Sequence, residues 1–228
     1  MKKRIFYTEL AYLIGLLVLA FGTAFMERAN FGVSMVVAPA YLIHLKVSEF
    51  LPFFSFGMAE YTLQAVILLL MMLLLRKAKV SYFFSFVTAV LYGLLLDASI
   101  AIVSLIPGYF MVINVIFYVV GMLLCSVGVS LLFHTYISPE AYELFVKEIS
   151  AKFNWNIHKV KTVYDCISCL VGVLLSFAFF GLWHFEGVKL GTVICALING
   201  LIIGGCTHLF EKIWIFEDRL PLKKYFQS

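Results

Sequence analysis

The chain has 228 residues, of which 63% are hydrophobic and 13% charged, with a mean hydropathy of +1.02 and a formal net charge of +4. A soluble globular chain is about 45–50% apolar and about 25% charged. This composition therefore excludes a water-soluble fold, which would lack the polar side chains to cover its surface, and makes the lipid bilayer the first expected partner.

Six apolar runs approach the roughly 20 residues needed to cross about 30 Å of hydrocarbon as a helix. The first, Leu10–Met26, follows Lys2, Lys3 and Arg4 in the manner of a signal peptide. Its apolar stretch exceeds the usual length of about 7–15 residues and no small-x-small cleavage site follows, so it is expected to remain as a membrane helix. Glu27 and Arg28 lie at its end, and adjacent residues cannot share a helix face. Arg28 could bind an anionic group, pair with a buried carboxylate or snorkel to the headgroups.

A less hydrophobic segment from Gly32 to Leu45 leads to the second run, Leu51–Leu75. Glu60 lies about ten residues into it, roughly 15 Å deep at helical rise, with Gln64 one turn further on the same face. The third run, Val80–Leu105, carries Ser85, Ala89, Gly93 and Asp97 at four-residue spacing, and Pro107-Gly108 marks a tight turn after it.

The fourth run is Phe110–Phe133. Beyond it, Ser138-Pro139 reads as a helix start, with Ser138 as N-cap. Tyr142, Phe145, Val146, Ile149 and Phe153 then form an apolar stripe, while Glu143 and Lys147 can pair on the opposite face. A short interfacial or re-entrant helix is expected here, and a counterpart over 32–45.

The fifth run, Thr162–Trp183, contains Asp165, four residues beyond Lys161, and Cys166-x-x-Cys169. Without a second pair at zinc-ligand spacing, these cysteines read as small packing residues. The sixth run, Leu190–Phe210, carries Thr192, Ala196, Gly200 and Gly204 at four-residue spacing. None of the runs alternates as a spanning strand would, and all five prolines lie outside them or at their ends.

Lysine and arginine give an orientation. Fourteen of the seventeen lie at the N-terminus, in the second and fourth connections and at the C-terminal end; the exceptions are Arg28, Lys46 and Lys189. The positive-inside rule then predicts that both termini are cytoplasmic.

The two four-residue stripes stand 107 positions apart, and Gly15/Gly22 of the first run recur as Gly121/Gly128 at an offset of 106. Two ordered blocks at nearly one offset predict a duplication within one transmembrane domain over 1–228. One copy covers about 8–106 and the other about 114–210, followed by a tail over 211–228. Three spans per copy is odd, so the second copy enters the bilayer inverted, as in many secondary transporters. The expected fold is an all-α membrane protein of six transmembrane helices in a 3+3 inverted repeat. Gly93, Gly200 and Gly204 are read as close helix-packing positions.

Gly22-Thr23-Ala24 running to Ala29-Asn30-Phe31-Gly32-Val33-Ser34, Gly93 through Asp97, and Gly191-Thr192 through Gly200 resemble the YczE/YitT-like bacterial membrane proteins. The resemblance extends loosely over most of the chain and implies small multi-spanning proteins with duplicated halves and no settled biochemical role. Departures occur at Met35, where such proteins tend to carry Pro, and at Tyr136-Ile137-Ser138, where they carry glycines.

An ionisable group in the bilayer pairs, faces a cavity or works. Glu60, Asp97, Arg28, Gln64 and Asp165 are accordingly candidate solute or ion contacts, with Asn30, Ser34, Ser138 and Glu140 in the two connecting segments. Glu60 and Asp97 are expected to border one polar cavity. His134, His184 and His208 sit at span ends, where water or headgroups are the expected neighbours.

No phosphate-binding glycine loop, zincin helix or nucleophile elbow is present, so no enzyme, cofactor, metal or nucleic-acid role is expected. The leading expectation is a transporter-like protein for a small polar solute. The alternative is a non-transport membrane partner, such as a substrate-capturing or regulatory subunit of a larger complex.

Overall fold

The computed structural model describes residues 4–106, 110–182 and 185–220. The predicted turn at Pro107-Gly108, the end of the fifth run at Trp183, and His184 lie outside the described residues.

Among the described residues, eight helices follow a short strand: β1 (Arg4–Tyr7), α1 (Thr8–Ala29), α2 (Ala38–Ser48), α3 (Phe56–Leu75), α4 (Val80–Ser104), α5 (Met111–Phe133), α6 (Ala141–Phe153), α7 (Ile157–Phe180), α8 (Leu190–Ile213), and a second strand, β2 (Trp214–Glu217). Six of the helices (α1, α3, α4, α5, α7 and α8) are long and apolar enough to cross a membrane. They turn large apolar side chains outward, among them Leu13, Leu69, Leu94, Val115, Leu174 and Leu201. Such a surface is stable only against lipid, so the chain is a multi-pass membrane protein.

The helix ends have local causes. Asn30, Arg76 and Asn154 adopt positive φ as C-caps of α1, α3 and α6. Ser55 caps α3 by accepting the Met58 N–H at 3.1 Å, so α3 begins five residues later than the apolar run does. That start places Glu60 little more than one turn into the helix rather than deep within it.

At the centre, α1 and α5 lie antiparallel in close contact. A methyl group added at Gly22 would stand 2.8 Å from the Gly121 oxygen, and one at Gly128 would stand 2.8 Å from the Gly15 oxygen. The absence of side chains there lets the backbones meet. Helix α4 packs on α1 and α8 on α5, with α3 outside α4 and α7 outside α8. Gly93 meets the Gly57 backbone across the α3–α4 contact, Gly200 is buried on α8, and Gly204 is half-buried.

The short helices α2 and α6 span about 16 and 20 Å at helical rise, too little to cross a bilayer. Each packs against both α3 and α7. The α6 N-terminus lies in the interior: the Ala141 N–H donates to Gln64 Oε1 at 2.9 Å, midway along α3. The segment before α6 stays extended because two carbonyls serve α4: Ser85 Oγ donates to Pro139 O at 2.6 Å and Thr88 Oγ1 to Ser138 O at 2.9 Å. Helix α6 thus starts with Glu140 as N-cap, correcting the expectation that Ser138 caps it. On the segment before α2, Thr192 Oγ1 of α8 donates to Val33 O at 2.8 Å.

The strands were not expected from an all-helical reading, and they place residues 214–217 of the supposed tail in a small sheet. β1 and β2 pair in parallel, Arg4 opposite Trp214, and Phe6 stacks on Trp214 at 4.9 Å. Glu9 Oε1 accepts from the Leu220 N–H at 2.8 Å and from Tyr136 Oη at 2.9 Å. Both ends of the described chain are therefore held on one side of the bundle.

Candidate functional site

The polar interior gathers where the N-terminal ends of α2 and α6 approach each other. A cavity of about 20 Å³, room for one water-sized body, is lined there by Ser34, Glu140, Tyr142, Glu143, Lys161 and Asn199, closed by apolar residues and by Thr23 and Tyr92. Glu140 is 1% exposed, Glu143 3%, Lys161 2%, and Glu60, Gln64 and Asp165 0%.

Two hydrogen-bonded groups meet at α6. On the α3 side, Tyr142 Oη donates to Glu60 Oε2 at 2.9 Å, and Gln64 Nε2 donates to Glu140 Oε2 at 2.8 Å and more weakly to Glu60 Oε2 at 3.4 Å. On the α7 side, Lys161 Nζ stands 3.3 Å from Glu143 Oε1 and 3.0 Å from Asp165 Oδ1. Glu60 Oε1, Glu140 Oε1 and Glu143 Oε2 are buried without a hydrogen-bond partner among the described residues. Burial, then the nearby charges of Glu143 and Glu60, holds the Glu140 carboxyl well above the ordinary carboxylate range.

This arrangement corrects several expectations. Arg28 does not reach Glu60; its Nη2 donates to Ile106 O at 3.0 Å near the surface. Asp97 does not join Glu60 in one cavity. Its Oδ2 accepts from Ser55 Oγ at 2.6 Å and its Oδ1 from the Gly57 N–H at 2.8 Å, so it secures the start of α3, where a negative charge also suits the helix dipole. Asn30 lies at the surface and accepts from Lys189 Nζ at 2.7 Å. Ser138 is buried and contributes its carbonyl, while Ser34 lines the cavity.

Asp165 does pair with Lys161, and both side chains are buried in the core. Glu143 turns inward to Lys161 instead of pairing with the exposed Lys147. Cys169 is buried and Cys166 exposed, both free thiols. Among the described residues, no three His, Cys, Asp or Glu side chains converge as metal ligands would.

Residue-by-residue reading missed Tyr142, Glu143, Lys161 and Asn199. Tyr142 counted toward an apolar stripe, and Lys161 toward a charge rule that takes lysines as lying in water. The available signal was Lys161 and Asp165 one turn apart at the entry to an apolar run, together with a lone amide, Asn199, among the apolar residues of α8.

An apolar cleft of about 320 Å³ opens between α3 and α7, with Leu63, Ile67, Ile167 and Val171 on its walls. Tyr142 and Tyr164 are among its lining residues, so it reaches the outer edge of the polar cluster.

No curated protein and no solved structure matches the chain. Residues 6–208 match a family of unknown function, DUF6198, and the chain belongs to that family.

Proposed function

We propose that this protein is a transporter-like carrier, built as a 3+3 inverted repeat, that binds a small polar solute where α2 and α6 meet and moves it across the cell membrane. The observation that carries the reading is the meeting of two short helices, each starting inside the molecule, at a buried cavity lined by Glu140, Glu143, Lys161 and Asn199. Helices broken in mid-membrane are tolerated where they line a cavity, and paired ones mark transporter sites.

The duplication is supported by contacts that recur under exchange of the halves. Gly15 meets Gly128 and Gly22 meets Gly121. Ser85 to Pro139 O is matched by Thr192 to Val33 O, with donors 107 and acceptors 106 positions apart. The neighbours α1–α4, α3–α4 and α2–α3 correspond to α5–α8, α7–α8 and α6–α7. Ser34 and Glu140 are equivalent at the same offset of 106. The basic residues favour cytoplasmic termini, and the glycine-bearing segments favour kinship with the YczE/YitT-like proteins. In this role the chain makes and breaks no covalent bond.

The test is a solute screen by thermal stabilisation of the purified protein, followed by uptake into liposomes holding the chain alone. A solute that both stabilises and enters, with both effects lost in Glu140→Gln, is the expected result. Stabilisation without entry would replace transport by a capturing subunit that needs partners.

A further inference from the structure

Four carboxyl groups, Glu60, Glu140, Glu143 and Asp165, share the interior with one ammonium group, Lys161. Fully ionised, they would carry a net charge of −3, counting four negatives and one positive. The surrounding cations do not offset it: Arg28 lies near the surface on Ile106 O, Lys189 on Asn30 and Lys79 on Glu148. Uncompensated charge is among the costliest things to place inside a membrane protein. Something positive must therefore occupy the cluster.

Glu140 is reached electrostatically by Tyr12 of α1, Tyr92 of α4 and Cys125 of α5, none of which supplies a positive charge. From α3 it faces Glu60, and on α6 Tyr142 and Glu143; Lys161 of α7 is the one cation in reach among the described residues. Lys161 is already engaged by Glu143 and Asp165.

We propose that exchangeable protons neutralise this cluster and that the solute is a small ammonium-type cation, bound as those protons leave. The proposal rests on the solute-site reading for its second half. Glu140 and Glu143 both line the cavity, and each keeps one oxygen without a hydrogen-bond partner among the described residues. An ammonium head brings several N–H donors to such acceptors, and the cavity of about 20 Å³ admits a body of that size. A polydentate metal site is not built, since no three ligating side chains converge among the described residues. Charge balances, because each cation entering releases protons of equal total charge.

The test uses the purified full chain in lipid nanodiscs. Infrared spectroscopy at neutral pH should show the carbonyl stretch of protonated carboxylic acids, reduced in Glu140→Gln and in Glu60→Gln. Ammonium should stabilise the protein against heat, with an apparent affinity rising up to about tenfold per pH unit for each proton displaced. Glu140→Gln should weaken that binding and flatten its pH dependence; Glu60→Gln serves if the first variant does not fold. Absence of the carboxylic-acid band, or ammonium binding that is absent or indifferent to pH, overturns the proposal. Stabilisation by urea or acetate instead overturns the cation but leaves the solute site standing. Failure of all three probes together with an unaltered Glu140→Gln protein removes both.

Discussion

Replacing Lys161 by methionine keeps most of the side-chain volume and removes the charge that joins α6 to α7. The ammonium lies 3.3 Å from Glu143 and 3.0 Å from Asp165, and the three side chains are 2%, 4% and 0% exposed. Breaking a buried pair by removing one partner costs about 3–5 kcal/mol, because the other charge is stranded. Two carboxylates are stranded here, so the upper part of that range is expected at pH 8. The ammonium also stands 5.7 Å from the centre of the Tyr164 ring, a contact worth about 0.5–2 kcal/mol. Adding Asp165→Asn to Lys161→Met should restore part of the loss at pH 8, since one stranded charge is then gone. Unfolding followed by tryptophan fluorescence across pH measures all three proteins. A Lys161→Met protein within about 1 kcal/mol of wild type at pH 8 would refute the buried ion-pair argument.

Gly22→Ala should destabilise by about 1–3 kcal/mol, since the new methyl would stand 2.7 Å from the Cys125 nitrogen; equal melting of variant and wild type would deny the close α1–α5 approach. Asp97→Ala should cost about 1.5–3 kcal/mol by removing a carboxylate that accepts from Ser55 and Gly57, while solute binding by the folded variant stays unchanged; altered binding at unaltered stability would return Asp97 to the solute site. Because Glu140 is held above the ordinary carboxylate range, the folded chain binds more protons there than the unfolded chain. Its contribution to stability is then complete below that range and is lost as pH rises through the elevated value, a decline that Glu140→Gln should flatten in a melting series. Single cysteines introduced beside Lys46 and Lys189 should react with an impermeant reagent added outside intact cells, and those beside Arg76 and Lys152 should not; the reverse pattern would invert the topology.

How far the sequence reading reached depended on the range of the interaction involved. Spanning helices are set by the local sum of apolar residues against bilayer thickness, so all six were legible, with ends shifted by a few residues where Ser55 or Asn30 sets a cap. The glycines at 15, 22, 121 and 128 were legible as a repeating pattern, because close packing leaves a spacing of small residues in each helix separately. The partner each glycine meets is not written in that spacing.

The polar interior was only half legible. Glu60, Gln64, Glu140, Asp165 and Ser34 stood out because polar groups in or beside apolar runs are costly. Their grouping was hidden, since Gln64 meets Glu140 across 76 positions and Tyr142 meets Glu60 across 82. Glu143 and Lys147 sit four apart in sequence, and helix periodicity alone makes them a plausible pair. Packing of α6 against α3 and α7 turns Glu143 inward to Lys161 and leaves Lys147 outside. The β1–β2 sheet joins segments more than 200 positions apart through strands of four residues, too short for a period-two pattern to register. Sequence by itself determined that the chain lives in a membrane, how many times it can cross, and which helix faces allow close approach, because these follow from side chains within one element. Tertiary structure decided which carboxylates share a lysine, which serine and threonine hold the two inner segments in place, and where the polar cavity lies. Those outcomes depend on contacts between elements far apart in the chain, where the choice among buried partners is made by the packing of whole helices.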